Sequence, residues 1–379
     1  MAASRWRSRA RRGTLVVFVL GLGVLVHSTD ELDALGATAS GERLERMRRS
    51  PNFRDGVFHN PVETHMMGVG KGVDLVKEWW EKRGSSRPPK PLPRVALARE
   101  SFGSAAPEGV RACWMGHSTV LVELEGQRLL FDPVWSERAS PSTLVGPLRF
   151  GPAPLPLEQV PALSAVVISH DHYDHLDKAT VVQLAKAQPS LRFYVPLGVG
   201  AHLEKWGIAP DRISELDWGE EAALPSGLRL AAVPSRHFSG RGVLDRDKTL
   251  WAAWAVVGRT HRVFFGGDGG YFDGYAKVGE RLGPFDLAML EIGAFNANWG
   301  QIHLGPEKAL VATRDLKAQV LLPIHWAGFN LAVHRWDEPI ATLVEGAAAA
   351  GVRLLVPKMG QLVQPSDAAE PAPWWRDAS

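Results

Sequence analysis

Cysteine is almost missing from this chain. Cys113 is the only one among 379 residues, which excludes an internal disulfide and leaves no basis for a thiolate metal cluster. An excess of one charge is missing too. Against 43 Lys and Arg stand 41 Asp and Glu, a formal net charge of +2, so no global field argues for nucleic acid or an acidic polymer as partner. Internal repeats are absent, and the apolar run from Leu15 to Val26 is short for an ordinary membrane span. Gly and Pro, by contrast, are plentiful at 38 and 27, which fits turns and functional loops rather than a helical bundle. With thiols excluded, the 13 histidines are the place to look for metal chemistry.

The first residues read as an address rather than as fold. Arg5, Arg7, Arg9, Arg11 and Arg12 precede the apolar run, the order of a signal peptide or an uncleaved signal anchor over residues 1–39. Ala37-Thr38-Ala39 offers a small-residue cleavage pattern, set off from the run by Asp30, Glu31 and Asp33, and cleavage and anchoring both stay open. Positive charge ahead of the run predicts export. The body is then periplasmic or membrane-anchored outside the cytoplasm, with any membrane association through this segment. Residues 40–107 form an extension that includes a Pro-rich strap, Ser85-Ser86-Arg87-Pro88-Pro89-Lys90-Pro91-Leu92-Pro93. The main domain spans 108–365. Residues 366–379 are a tail, disordered or packed on the surface, whose Trp374 and Trp375 offer a membrane contact as the lesser reading.

Within the main domain, Ala112–Leu124 and Gln127–Phe131 are β-rich and joined at Glu125-Gly126 as a hairpin. Ala165–Ser169 is a short apolar strand, and Thr180–Ala187 has helical spacing that stops before Pro189. Further strands are expected at Arg192–Val195, Leu228–Val233, Leu250–Val257, Val263–Phe265, Leu287–Ile292, Val320–Ile324 and Val352–Val356. Helices are expected around 198–206, 306–316 and 339–350. Hairpins early and strand–helix alternation later predict an α/β (α+β) domain of two packed mixed sheets with helices outside.

Repeatedly, a strand ends and a metal-binding residue type follows: Ser169/His170, Val233/His237, Phe265/Asp268 and Ile324/His325. Strand ends are where a rigid scaffold presents loop chemistry, so these four suggest one shared edge. His170-Asp171-His172-Tyr173-Asp174-His175 is dense in imidazole and carboxylate, the ligands that divalent metals such as zinc prefer. His170 and His172, two apart and leaving a strand, can grip one ion, while Asp174 and His175 can reach a second. Four ligands cannot complete two hydrolytic sites, each of which wants three or four and an open position for water. His237, Asp268 and His325 are the candidates for the remainder.

The run His170-x-His172-x-Asp174-His175, then a His, a Gly-Asp and a final His, resembles the metallo-β-lactamase superfamily. Asp132-Pro133-Val134-Trp135-Ser136-Glu137-Arg138-Ala139-Ser140-Pro141-Ser142, Gly146-Pro147, Ile168–Asp177, Glu215-Leu216-Asp217-Trp218, Thr249-Leu250-Trp251 and Arg281–Ala288 resemble its N-acylphosphatidylethanolamine-hydrolysing phospholipase D branch. The similarity extends over roughly residues 110–345. The resemblance implies a four-layer αβ/βα sandwich and two zinc ions per chain, with iron or manganese as alternatives. It assigns His170, His172 and His237 to one ion, Asp174, His175 and His325 to the other, and Asp268 to both. It also implies that His303 contacts a substrate phosphate or the leaving group, against the plainer reading of a loop histidine. For His117 it suggests a structural hydrogen bond. Where that branch has a Pro-Ile-Gly-Ala-Tyr-Glu-Pro-Arg-Trp type segment, this chain has Glu291-Ile292-Gly293-Ala294-Phe295-Asn296-Ala297-Asn298-Trp299, so an arginine is gone and a glutamate has entered.

The expected chemistry is hydrolysis by a water held between two ions and deprotonated near neutral pH. Asp268 and His303 take part, and Asp171 orients a histidine or handles a proton, unless it is only a solvated loop residue. A small-molecule or lipid phosphodiester is the first substrate expected, and a lactone or other carbon ester is the alternative. An iron-binding redox protein or a degenerate binding module is the non-hydrolase reading.

Overall fold

The computed structural model describes residues 15–19, 22–26, 29–65, 85–103, 108–224, 227–296 and 300–378. The basic Arg5–Arg12 stretch and Ala297-Asn298-Trp299 lie outside the described residues. The apolar run forms two short antiparallel strands, β1 (Leu15–Val19) and β2 (Leu22–Val26). Among the described residues no helix is long and apolar enough to cross a membrane. Helices α1 (Thr29–Ala34) and α2 (Gly41–Arg48) follow, then a small hairpin, β3 (Phe53–Arg54) with β4 (Val57–Phe58).

Two mixed sheets make the body. The first contains β5 (Val110–Gly116), β6 (Thr119–Leu124), β7 (Gln127–Phe131), β8 (Ala165–Val167), β9 (Arg192–Pro196) and β10 (Ile213–Leu216). The second contains β11 (Glu221–Ala223), β12 (Arg229–Val233), β13 (Ala253–Val257), β14 (Arg262–Phe265), β15 (Leu287–Glu291) and β16 (Leu321–Ile324) in chain order. A last strand, β17 (Leu362–Val363), returns to pair with β5 at the edge of the first sheet. Alternation along the first sheet divides its side chains. Ala112, Trp114, Val120, Val122, Leu129, Phe131, Ala165 and Val167 enter the core shared with the second sheet. Cys113, Met115, Leu121, Leu130, Val166 and Ile168 face a separate core. That outer core is closed by α3 (Lys178–Ala187) and α4 (Gly200–Lys205), which contribute Val181, Leu184 and Leu203. On the far side, α5 (Gly274–Leu282), α6 (Gly305–Asp315) and α7 (Glu338–Ala350) cover the second sheet through Val278, Leu282, Leu310, Leu343 and Ala347. The result is the αβ/βα sandwich expected, with strands apolar on both faces because both faces are covered.

Several expectations need correction. Ala112–Leu124 is two strands, broken at His117-Ser118, where His117 takes a left-handed φ of 53°. Val352–Val356 is not a strand; only Leu354 bridges to Leu321. Helix α5 was not anticipated, because Gly274 and Gly279 weaken its local propensity, and burial of Tyr275, Val278 and Leu282 along one stripe decides it instead. In the tail, Trp374 and Trp375 are buried against the main core.

The Glu125-Gly126 hairpin has both residues at positive φ, 45° and 80°, as a tight two-residue turn requires. Glu125 also joins the two sheets. Its carboxylate accepts from the backbone N–H groups of Arg259 (2.8 Å), Thr260 (2.7 Å) and His261 (2.8 Å) in the β13–β14 turn. Burial opposes its charge, but these donors outweigh burial and hold the carboxyl at about 2 against an ordinary 4.5. A depressed folded-state pKa contributes stability that is complete above 4.5 and is lost as pH falls toward 2. Glu125→Gln should therefore cost about 1 kcal/mol at pH 7 and flatten the acid limb of stability between those values. Urea titrations at pH 7, 4 and 3 check this, and an unchanged acid limb would refute it.

Candidate metal centre

The topology gathers the candidate residues at one edge. β12, β14, β15 and β16 run in the same direction, since β12 and β14 flank the antiparallel β13 and β14–β15–β16 are parallel. His237, Asp268, Glu291 and His325 therefore emerge from the same end of the second sheet. In the first sheet, parallel β7 and β8 deliver Asp132 and His170 just past their last residues. His117, Asp132, Ala294, His325 and Ala327 all have left-handed φ values, between 39° and 61°. Such non-glycine strain persists where surrounding contacts over-determine it. Gly267 has a φ of 56°, and a Cβ there would lie 2.5 Å from the Ser169 Cβ, so only glycine lets the Asp268 loop approach the His170 loop.

Three imidazoles converge first. His170 Nε2 lies 2.8 Å from His172 Nδ1, and His237 Nε2 lies 3.4 Å from the same atom. Their outer nitrogens identify the tautomer. His237 Nδ1 is 2.9 Å from the Ile302 carbonyl, which only accepts, so Nδ1 carries the proton and Nε2 turns a lone pair inward. His170 Nδ1 is 2.9 Å from Ser169 Oγ, which in turn donates to Asp132. Burial, then neighbouring histidines, hold His170 well below its ordinary pKa. Burial also lowers His172 and His237. Neutral imidazole is the form that binds metal.

A second group adjoins it. Asp174 Oδ2 lies 3.4 Å from His175 Nε2 and 3.3 Å from His325 Nε2. Asp268 Oδ2 stands between the groups, 3.2 Å from His175 Nε2, 3.1 Å from His325 Nε2 and 3.7 Å from His237 Nε2. His175 Nδ1 donates to Asp132 at 2.7 Å, which again turns Nε2 inward as an acceptor. Burial opposes the charge on Asp268, yet His175 and His325 outweigh it and hold the carboxyl well below its usual range. For His325 burial is outweighed by Asp268, and its pKa is pushed up to about 10.

These donor sets fit divalent cations. His175 Nε2, Asp268 Oδ1 and His325 Nε2 are buried without a hydrogen-bond partner among the described residues. Orphaned buried polar atoms are costly, and a cation would satisfy all three. His170, His172 and His237 form one group whose ligand atoms lie within 4.8 Å of one another, and Asp174, His175 and His325, joined by His117, form another.

The remaining expected residues have definite places. His117 Nε2 is 2.9 Å from Asp174 Oδ2, and its carbonyl accepts from Trp114 Nε1 and the His325 N–H, so it braces the second group. Asp171 lies apart from both groups. Its carboxylate accepts from the Gly240 N–H (2.8 Å) and Thr249 Oγ1 (2.8 Å), and it sits 3.3 Å from His202 Nε2, so it ties the metal loop to residues 240–249 and α4. His303 Nδ1 is 2.6 Å from Glu291 Oε2 and 4.0 Å from Asp268 Oδ2. Sequence reasoning assigned no role to Asp132 or Glu291. Both follow or end an apolar strand, the signal that found the other ligands. A recess of about 20 Å³, the size of a single water, adjoins the second group, and both apolar (Phe150, Phe329) and polar (Asn330, His334) side chains join His117 and His325 in lining it.

Comparison with known proteins agrees with this geometry. Residues 127–326 match the beta-lactamase superfamily domain. An uncharacterized protein of Mycobacterium tuberculosis is 44% identical over 382 residues, covering 99% of this chain and 96% of its own. The N-acyl-phosphatidylethanolamine-hydrolyzing phospholipase D 1 of Caenorhabditis elegans is 38% identical over 249 residues, 63% of this chain and 69% of that protein. In fold, the chain is similar to Igni18, a metallo hydrolase of Ignicoccus hospitalis, with a TM-score of 0.51 at 24% identity over 67% of this chain and 97% of that one. Strand ends that converge on two imidazole–carboxylate groups, together with a matched domain spanning both sheets, place the chain in the metallo-β-lactamase superfamily of metal-dependent hydrolases.

Proposed function

We propose that the chain is a dinuclear zinc phosphodiesterase acting on lipid-like substrates. The observation that carries the two-ion reading is Asp268: one carboxylate oxygen lies within 3.1–3.7 Å of ligand nitrogens belonging to both groups. The likeness to the nematode phospholipase D supports a lipid diester. His170, His172 and His237 would hold one ion, and Asp174, His175 and His325 the other.

When bound, such a pair supplies a water acidic enough to react near neutral pH and neutralises charge on the electrophile's oxygen. The chain's own groups do the rest. Asp132 holds His175 by Nδ1, and the Ile302 carbonyl holds His237, so both rings keep their ligating nitrogen aimed inward. His303 stands at the rim of the cluster, keeping 11% of its side-chain surface where His237 and His325 keep 1%. On this reading it gives a proton to the departing alkoxide.

Zinc-loaded full-length protein should hydrolyse N-acylphosphatidylethanolamine in mixed micelles and, more slowly, bis(p-nitrophenyl) phosphate. A chelator should abolish both activities, and zinc should restore them. Lactone turnover without diester turnover would replace the phosphodiesterase with a lactonase on the same ligands. Stoichiometric iron in purified protein would overturn the zinc assignment.

A further inference from the structure

Glu291 stands out among the buried groups around the cluster. It ends β15, between the strands that deliver Asp268 and His325, and its side chain is fully buried. Both oxygens are engaged. Oε1 accepts from the Gly269 N–H at 2.7 Å and the Leu304 N–H at 3.2 Å, and Oε2 faces His303 Nδ1 at 2.6 Å. One carboxylate thus joins the loop of the bridging Asp268 to the loop of His303. The His303 ring packs against two rings from different ligand groups, His237 (centroids 5.1 Å apart) and His325 (5.6 Å). Glu291 also opens the segment in which this chain departs from the phospholipase branch that it otherwise resembles.

We propose that Glu291 is the positioning residue for His303, and that the pair confers the ability to cleave esters whose leaving group is an unactivated alkoxide. This rests on the phosphodiesterase reading above. An imidazole held by a carboxylate at Nδ1 keeps its proton there and has its other nitrogen fixed for transfer. In the reaction, the oxygen of water bonds to phosphorus and the phosphorus–oxygen bond to the alkyl group breaks. The proton on His303 Nε2 passes to the departing oxygen, and the proton released by the water replaces it. Glu291 touches neither reactant. Its buried place costs desolvation, which three donors offset, and a glutamine could keep the two backbone contacts while losing the charge that holds Nδ1–H.

The test uses full-length zinc-loaded protein. Glu291→Gln should lower kcat on N-acylphosphatidylethanolamine by about 10²-fold, the scale of general-acid catalysis. The loss on bis(p-nitrophenyl) phosphate should be at least about tenfold smaller, because p-nitrophenolate departs without a proton. In a His303→Ala background the Glu291→Gln loss should vanish, as for two residues acting as a unit, and zinc content should stay at the parental level. Histidine ¹⁵N spectra provide a readout independent of turnover: His303 should show a protonated Nδ1 in the parent, and that signature should be lost in Glu291→Gln. Equal losses on both esters, additive losses in the double variant, or zinc lost with Glu291→Gln would overturn the proposal. If neither diester is turned over, the phosphodiesterase reading fails by itself, and the spectra still decide whether Glu291 holds His303.

Discussion

Asp268→Asn should abolish the metal-dependent activity and empty at least one ion site. The argument is geometric. Asp268 Oδ2 is the only carboxylate oxygen among the described residues placed within 4 Å of His175, His237, His303 and His325 at once. Its charge also lowers the cost of gathering so many buried imidazoles in one place. Asparagine keeps the shape and the loop but removes that charge, so two cations brought close together would repel without a bridging anion. Metal assistance is worth several kcal/mol of transition-state stabilisation. At about 1.4 kcal/mol per factor of ten, the expected loss in kcat/KM is about 10³-fold or more. If the proposed two-zinc reading holds, elemental analysis should show bound metal falling from two ions per chain toward one or none, while circular dichroism stays parental. A variant with full zinc content and activity would show that Asp268 does not bridge.

The second large effect lies at the end of the chain. Trp375 is 1% exposed, and Trp374 donates from Nε1 to the Val356 carbonyl at 3.1 Å. Both rings pack on Trp326, with centroids 5.6 Å and 6.1 Å away, and Trp326 stacks on Trp114 at 5.3 Å. Trp326 follows His325 directly, and Trp114 donates to the His117 carbonyl, so this aromatic block sits beneath the second ligand group. Emptying a buried aromatic site costs about 3–5 kcal/mol, a large part of the 5–15 kcal/mol that typically separates folded from unfolded. Trp375→Ala should lower the unfolding free energy measured in urea by that amount and weaken metal binding along with it. Removal of residues 366–379 should do more. A loss below about 1 kcal/mol would mean that the tail merely lies on the surface.

The tail shows why some of this was hidden from the sequence. Proline and tryptophan in a polar terminal stretch suit a loose arm as well as a packed one, because what buries Trp375 is Trp326, distant in the chain. The strand predicted at Val352–Val356 failed for a related reason. An apolar run says that a segment is buried, but ladder pairing depends on a neighbour, and only Leu354 finds one. Helix α5 was missed in the opposite direction, since its propensity is poor and its buried stripe exists only against the second sheet. The sequence left Asp171 between orienting a histidine and lying solvated in a loop; strand and loop geometry bury it against Gly240, Thr249 and His202.

By itself, the sequence determined the fold class, the αβ/βα arrangement of two mixed sheets and the residue types available for metal. The two packed sheets and the ligand types follow from local signals, namely apolar alternation, turn residues, and imidazole or carboxylate just past a strand end; the αβ/βα order is what the family resemblance implied. Tertiary structure decided at what distances those residues meet and which groups stand behind them. It set Asp268 between His175, His325 and His237, put Asp132 behind His175, and carried Glu291 to His303. The physical reason is that each of these contacts joins segments far apart in the chain, and their distances depend on how two sheets pack and on which strands run parallel. Local sequence carries no record of that packing.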